Sequence, residues 1–158
     1  MAQTTSAFAS ANFKAEVSLD GSSWTDISGV ANDVEVNGGD QQTGKQFTAS
    51  GKYPVVVYSG KNDMTQVKFS GLYTETAGEG WAIVYARFIG AVPTIFFRYS
   101  PQGGATATKR YVTANAADTA AAAVIKTCLP PKVDSGSGDP AMFEFTLETP
   151  QMKQEAVP

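Results

Sequence analysis

The sequence predicts an all-β domain, a sandwich or barrel-like arrangement of two packed sheets, with one flanking α-helix. Residues 13–19 and 141–147 alternate apolar with polar side chains, which is the pattern of strands buried on one face. Clusters of Gly, Pro, Asn, Asp and Ser separate the strand-like segments at short spacing. Only residues 81–88 place apolar side chains at the spacing of a helix. With 158 residues, the chain has the length of one domain.

The first half of the chain holds the strands that precede the helix. Residues 1–10 are small and polar without a period, and we expect them to form a flexible N-terminal arm. The main β domain is expected to cover residues 11–149. Apolar–polar alternation and turn signals predict its first strands over residues 13–19, 24–27, 33–36, 54–59 and 64–74.

Residues 37–52 interrupt this pattern and are predicted to form a long loop. The segment is rich in Gly, Gln, Thr and Ser, and Phe47 is its only large apolar residue. Connections in compact domains have a median length of about 4–6 residues, and much longer ones are usually functional or ordered by a partner. The alternative is a mobile surface loop without a role.

A helix is predicted over about residues 77–90. Its apolar face, at positions i, i+3, i+4 and i+7, consists of Trp81, Val84, Tyr85 and Phe88. Thr76 and Glu79 have the spacing of a capping box, and Gly90 and Pro93 are expected to end the helix. At this spacing the aromatic side chains are expected to pack against the core rather than to line a ligand pocket.

The second half of the chain returns to strands. They are predicted over residues 94–99, 109–113, 124–128 and 141–147. Residues 114–123 are rich in alanine and fit either a helix or a loop. Residues 150–158 are predicted to be a polar C-terminal tail.

The composition excludes several classes of function. The chain has no histidine, which removes histidine-based acid–base catalysis and the commonest metal ligand. Its only cysteine is Cys128, so neither an intrachain disulfide nor a thiolate metal cluster can form. The net charge is −3, and no cluster of Lys and Arg offers a site for a nucleic-acid backbone. We expect no membrane association, because no apolar run approaches the length of a membrane span.

Three patterns resemble catalytic or binding sites, and none has the context that it needs. Residues 39–45 fit the phosphate-binding pattern G-x-x-x-x-G-K, but Gln46 stands where a hydroxyl would bind Mg²⁺, and no helix is predicted to follow. Without a histidine to activate it, Cys128 is predicted to be a buried apolar side chain. The carboxylate pairs that could serve glycoside hydrolysis or Ca²⁺ binding are Asp20/Asp26, Asp134/Asp139 and Glu144/Glu148. We predict no enzymatic activity, no cofactor and no metal.

Four segments of the chain resemble the tail tube, or major tail, proteins of long-tailed bacteriophages. Two early segments, Val17–Gly29 and Asn32–Gly44, read VSLDGSSWTDISG and NDVEVNGGDQQTG. Two later segments, Phe97–Gly104 and Gly136–Leu147, read FRYSPQGG and GSGDPAMFEFTL. The likeness covers most of the chain, from about residue 13 to residue 150, and consists of structural stretches without a catalytic signature.

The resemblance implies a virion protein that assembles with copies of itself into hexameric rings, which stack into the tail tube. The expected partners are further copies, the tape measure, tail tip and tail terminator proteins, and DNA that passes through without specific binding. The expected location is the virion tail, with assembly in the host cytoplasm. In that family the long loop contacts neighbouring subunits or rings. This implies a subunit interface at Gly38, Gly39, Asp40, Thr43, Gly44, Lys45 and Phe47.

The acidic composition agrees with a conduit for DNA, because a basic wall would bind the phosphate backbone and an acidic wall repels it. Two other functions stay open at this point. One is a non-assembling β-sandwich module that binds carbohydrate or decorates a capsid surface, with Trp24, Tyr53 and Tyr58 as an aromatic platform. The other is a small hydrolase that uses carboxylates.

Overall fold

The computed structural model describes residues 7–136 and 138–158, and this part of the chain contains eleven strands and one helix. The strands before the helix are β1 (Lys14–Ser18), β2 (Thr25–Asp26), β3 (Ala31–Gly38), β4 (Gln41–Gln46), β5 (Val55–Asn62) and β6 (Thr65–Leu72). The helix and the remaining strands are α1 (Gly80–Phe88), β7 (Thr94–Ser100), β8 (Lys109–Ala114), β9 (Ala123–Leu129), β10 (Met142–Thr149) and β11 (Gln151–Ala156).

The strands form two antiparallel layers that share one strand. Layer 1 has the order β2-β1-β7-β8-β11, and layer 2 has the order β3-β6-β10-β9. The first two residues of β7 pair with β9, so β7 connects the layers as in a partly closed barrel. A separate two-stranded sheet contains β4 and β5. The predicted class, two packed sheets with one flanking helix, is confirmed.

The core lies between the layers and is largely aromatic. Phe69 of β6 stacks on Phe145 of β10 with ring centroids 4.8 Å apart, and Phe97 of β7 meets both rings edge-on at 6.3 Å. Such pairs contribute about 0.5–1.5 kcal/mol beyond the burial of their area. The helix covers this core: Val84 is fully buried and Trp81 lies 5.6 Å from Phe143. The aromatic stripe of the helix is therefore core packing, as predicted.

Two segments predicted to be irregular are strands. Residues 37–52 are not one continuous loop, because β3 continues to Gly38 and β4 then pairs with β5, while residues 47–52 are irregular as predicted. Residues 150–158 are not a free tail, because β11 pairs with β8 over six residue pairs and Met152 packs against the core. Both strands are polar or glycine-rich, and their pairing partners decide their conformation more than their intrinsic propensity does.

Three smaller points concern the helix start, the segment left open and the N-terminal arm. The helix begins at Gly80 rather than at 77, and the Thr76–Glu79 capping box is absent, since the Glu79 carboxylate accepts a hydrogen bond from the Thr74 hydroxyl. Within residues 114–123, Asn115 Oδ1 accepts the N–H groups of Ala117 and Thr119 and so forms a turn rather than a helix. Of the predicted N-terminal arm, residues 7–10 have no regular structure, and residues 1–6 lie outside the described part.

A buried ion pair fixes the outer surface of layer 1. Arg98 Nε on β7 donates to a carboxylate oxygen of Glu16 on β1 at 2.7 Å, and Lys14 Nζ lies 3.0 Å from the other oxygen. The Arg98 guanidinium also stacks on Trp24, 3.9 Å from the ring centroid. Burial by itself would raise the pKa of Glu16, but the hydrogen bonds from Arg98 and Lys14 outweigh it and hold the pKa below its usual value.

Replacing Arg98 by methionine should leave Glu16 buried with only Lys14 beside it, and should lower the free energy of unfolding by about 3 kcal/mol at pH 7. The pKa of Glu16 is lower in the folded than in the unfolded chain. Its stabilising contribution is therefore complete above about pH 4.3 and disappears as the pH falls through the folded pKa. Urea unfolding of R98M and wild type from pH 7 to pH 3 should show the difference shrinking below about pH 4.3.

The matched control is Lys68→Met, because the ion pair of Lys68 with Glu144 is exposed on both sides. Loss of an exposed pair should cost less than about 1 kcal/mol at any pH. Two results would contradict the stabilising role of the Glu16–Arg98 ion pair. One is an equal loss of unfolding free energy in both variants, and the other is a loss in R98M that does not change with pH.

Candidate self-assembly surface

The strands β4 and β5 form a hairpin that extends layer 2 beyond the body of the protein. The Gly39 N–H donates to the Met64 carbonyl at 3.2 Å, and the Asp63 N–H donates to the Asp40 carbonyl at 2.9 Å. These bonds join the β3–β6 ladder to the separate β4–β5 sheet, whose register shifts between Gln41 and Thr43. We call residues 41–62 the hairpin. Its paired part extends about 20 Å at the usual rise of a strand.

The joint between hairpin and body requires glycine. Gly38 has φ +79° and Gly39 has φ +74°, in the left-handed region that side chains disfavour. A Cβ atom on Gly38 would lie 2.4 Å from the Met64 carbonyl oxygen, which is part of the backbone and cannot move aside. Gln42 Nε2 donates to Asp63 Oδ1 at 2.9 Å and braces the same joint. The direction in which the hairpin leaves the body is therefore defined.

The hairpin exposes apolar side chains on both of its faces. Every residue of β4 and β5 is exposed, and each of these strands pairs only with the other. Val55 and Val57 point to one face, while Val56 and Tyr58 point to the opposite face. These four side chains are between 55% and 76% exposed. Contiguous exposed apolar surface of this kind marks an interaction site, since nothing in the described chain covers it.

The seven residues implied by the resemblance lie on the joint, in the first strand of this unit or directly after that strand. Gly38, Gly39 and Asp40 form the joint, where their backbone sets the geometry. Thr43, Gly44 and Lys45 lie in β4, and Phe47 follows it with its side chain 59% exposed. The structure therefore places them together, and whether they contact another copy stays a prediction.

Sequence reasoning missed the second strand of the hairpin as part of the surface. Residues 54–59 are predicted to be an ordinary strand, with only Tyr58 considered as an exposed ring, but all four side chains of Val55–Tyr58 are more than half exposed. The sequence signal for this surface was the run Val55–Tyr58, which contains no polar residue in alternation. Such a run indicates a strand that is buried on both faces.

The outward face of layer 2 is polar and acidic; we call it the polar face. Lys68 Nζ lies 2.9 Å from Glu144, and Lys126 Nζ lies 2.6 Å from Glu148. The hydrogen bond with Glu144 raises the pKa of Lys68, and two further carboxylates on β3 add to this effect. Four carboxylates against two ammonium groups give the face a formal charge of −2. Its charged residues are Asp33, Glu35, Lys68, Lys126, Glu144 and Glu148.

Several strand edges are open. β3 pairs only with β6, and β11 pairs only with β8. On the side of β9 away from β10, β7 pairs only with Ala123 and Val124, which leaves Lys126–Leu129 without a strand partner on that side within the described chain. Open edges present N–H and C=O groups to any further strand that approaches.

The residues considered for other functions have structural roles. The pKa of Cys128 is raised by burial to about 11, so the thiol stays protonated and unreactive near neutral pH. The N–H groups of Ser23 and Ser22 hydrogen-bond the Asp20 carboxylate and lower its pKa. Residues 39–45 lead into a strand rather than a helix, which removes the phosphate-binding interpretation. Among the described residues, no group of three or more Cys, Asp or Glu is placed to hold a metal ion.

The aromatic platform expected for a carbohydrate-binding module is not assembled. Tyr58 lies on the hairpin and Tyr53 just before β5, whereas Trp24 precedes β2 in layer 1 and stacks on Arg98. Tyr53 and Tyr58 therefore both belong to the hairpin, whereas Trp24 lies on layer 1, and the three rings do not form one platform. No helix among the described residues is long and apolar enough to cross a membrane.

Comparisons with known proteins identify the fold. Neither a protein-family model nor a curated protein matches the chain. A chain of the extended sheath–tube complex of the extracellular contractile injection system PVC is 17% identical, with TM-score 0.60, and the match covers 92% of this chain and 89% of that one. A chain of the tube-terminating cap of the anti-feeding prophage is 12% identical, with TM-score 0.61 and coverages of 99% and 95%.

A chain from the tail of a gene transfer agent particle is 10% identical, with TM-score 0.58, and the match covers 99% of this chain and all of that one. At such low identity the likeness is one of fold. The fold is thus shared, over nearly the whole chain, with chains of tail and injection-tube particles. This agrees with the tail-tube-like fold that the sequence predicts.

Alanine at position 38 should destabilise the protein, because both the positive φ and the contact with the Met64 carbonyl oppose a Cβ atom. We expect the free energy of unfolding to fall by about 1–3 kcal/mol. Gly29→Ala is the matched control, since a Cβ there meets nothing within 4 Å. Chemical denaturation of both variants measures the difference, and a G38A protein as stable as G29A would contradict the assignment of the joint.

Proposed function

We propose that this protein is a structural subunit of a virion tail that assembles with copies of itself into stacked, hexameric rings, and that these rings form the tube through which DNA is ejected. The observation that carries the proposal is the hairpin with exposed apolar side chains on both faces. A stable monomer rarely leaves such a surface uncovered. The shared fold with chains of tail and injection-tube particles supports the same function.

The open edges of layer 2 support ring formation. The free edge of β3 lies on one side of the layer, and the unpaired part of β9 lies on the other. Pairing of β3 with β9 of the next copy would continue layer 2 from subunit to subunit, and a closed ring would leave no edge of layer 2 exposed. The two edges differ, so the contact joins unlike surfaces and leads to a ring rather than to a two-fold dimer.

In such a ring the polar face of layer 2 would line the channel. Its formal charge of −2 per copy, with both lysines engaged by carboxylates, offers phosphate groups no favourable site. DNA would then pass without specific binding, because the wall repels the backbone. The function proposed here is mechanical, without catalysis, cofactor or metal. The partners are the tape measure, tail tip and tail terminator proteins, in a virion tail built in the host cytoplasm.

Purified protein, concentrated in steps, should form rings or tubes in negative-stain electron microscopy. A double substitution in the hairpin, Val56→Ser with Tyr58→Ser, should abolish these assemblies, because it removes the exposed apolar side chains from one face. The fold should be preserved, since neither side chain contributes to the core. Circular dichroism and thermal unfolding check this.

The control is Leu19→Ser with Val92→Ser, which removes two exposed apolar side chains outside the hairpin. The control variant should assemble like wild type. A wild-type protein that stays monomeric at every concentration and salt, also with added tail-tip components as nuclei, would contradict the proposal. Unchanged assembly of the hairpin variant would contradict the role of the hairpin.

A further inference from the structure

The charges of the chain are separated between the hairpin and the body. The hairpin contains Lys45, Lys52 and Lys61 and no Asp or Glu, so its formal charge is +3. Because the whole chain carries −3, the remaining residues carry −6. The hairpin is thus a basic projection with exposed valines and tyrosines on an otherwise acidic protein.

The strand register places an acidic surface at the opposite end of layer 2. The hairpin leaves the layer where Gly38 pairs with Thr65, whereas β6 ends and β10 begins at the far end, where Leu72 pairs with Met142. The segments 73–79, 130–136 and 138–141 adjoin that far end. They carry four carboxylates and one lysine, a formal charge of −3: Glu75, Glu79, Asp134, Asp139 and Lys132. We call this surface the acidic end.

The acidic end also offers apolar contacts. Val133 is 83% exposed, and Leu129, the last residue of β9, is 55% exposed. Leu72, the last residue of β6, is 40% exposed at the same end of the layer. Lys132, Asp134 and Asp139 line an open cleft of about 280 Å³ together with Met142, the first residue of β10. Charge and apolar surface at this end therefore both complement the hairpin.

We propose that the acidic end of layer 2 is the docking surface for the basic hairpin of a second copy. This inference rests on the proposed self-assembly and specifies which surfaces meet between successive rings. The two surfaces lie at opposite ends of one molecule and carry opposite charge, so the contact repeats head to tail. A two-fold contact would instead place hairpin against hairpin and bring like charges together, which costs several kcal/mol at an interface.

The docking makes assembly depend on salt. At 0.1 M ionic strength charges interact over about 10 Å, and at 1 M over about 3 Å. The concentration needed for tube formation should therefore rise with salt. The apolar part of the contact does not weaken in the same way, so the dependence should be moderate rather than complete.

Charge reversal with exchange of partners tests the proposal. Lys45→Glu with Lys52→Glu makes an acidic hairpin, and Glu75→Lys with Asp134→Lys makes a basic end. Each variant alone should need at least about tenfold more protein to form tubes, because like charges then face each other. An equimolar mixture should assemble near the wild-type concentration, since every hairpin then finds an end of opposite charge on the other variant.

Lys109→Glu with Lys153→Glu is the control, because it changes the net charge as much as the hairpin variant does but at β8 and β11. Sedimentation and electron microscopy measure assembly, and circular dichroism checks folding. Wild-type behaviour of either reversal variant, or failure of two folded variants to assemble when mixed, would overturn this inference while wild-type tubes keep the proposed function intact. A wild type that never assembles would contradict the proposed function, and the inference with it.

Discussion

A two-stranded hairpin in water is at best marginally stable unless another surface buries its apolar side chains. In this protein the hairpin of β4 and β5 is held at its base by the glycine joint and the bond between Gln42 and Asp63, and nothing in the described chain covers its faces. The apolar residues of the hairpin therefore lie on an exposed surface and do not contribute to the core of the same chain. A second copy is the partner that we propose for it.

The rest of the domain agrees with this division of roles. The aromatic core around Phe69 and Phe145 and the buried pair of Glu16 with Arg98 stabilise the body without help from the hairpin. The outward face of layer 2 matches its lysines with carboxylates and leaves an acidic excess. The hairpin carries exposed apolar side chains and basic charge, whereas the acidic end of the same layer carries exposed apolar side chains and acidic charge.

The pattern of apolar and polar residues, together with turn signals, predicted nine of the eleven strands in the described part of the chain, and helical spacing predicted the helix that covers the core. The residue pattern did not predict β4 and β11. Strands exposed on an edge need no apolar side chains and take their conformation from the strand beside them. The resemblance to tail tube proteins pointed to the first strand of the hairpin and its joint. Val55–Val57 were not recognised as surface, and Tyr58 was considered only for a carbohydrate platform, because a run of apolar residues indicates burial and says nothing about which molecule provides it.

Amide hydrogen exchange of the hairpin before and after assembly tests the central claim most directly. β5 and β6 are consecutive strands joined by backbone hydrogen bonds at the glycine joint, so β6 is the internal reference for β5. In the unassembled chain, the amides of β4 and β5 should exchange much faster than those of β6, since they open locally without disrupting the core. In assembled protein they should become as slow as those of β6. Equal protection of β5 and β6 before assembly, or no gain of protection in the hairpin on assembly, would contradict the account.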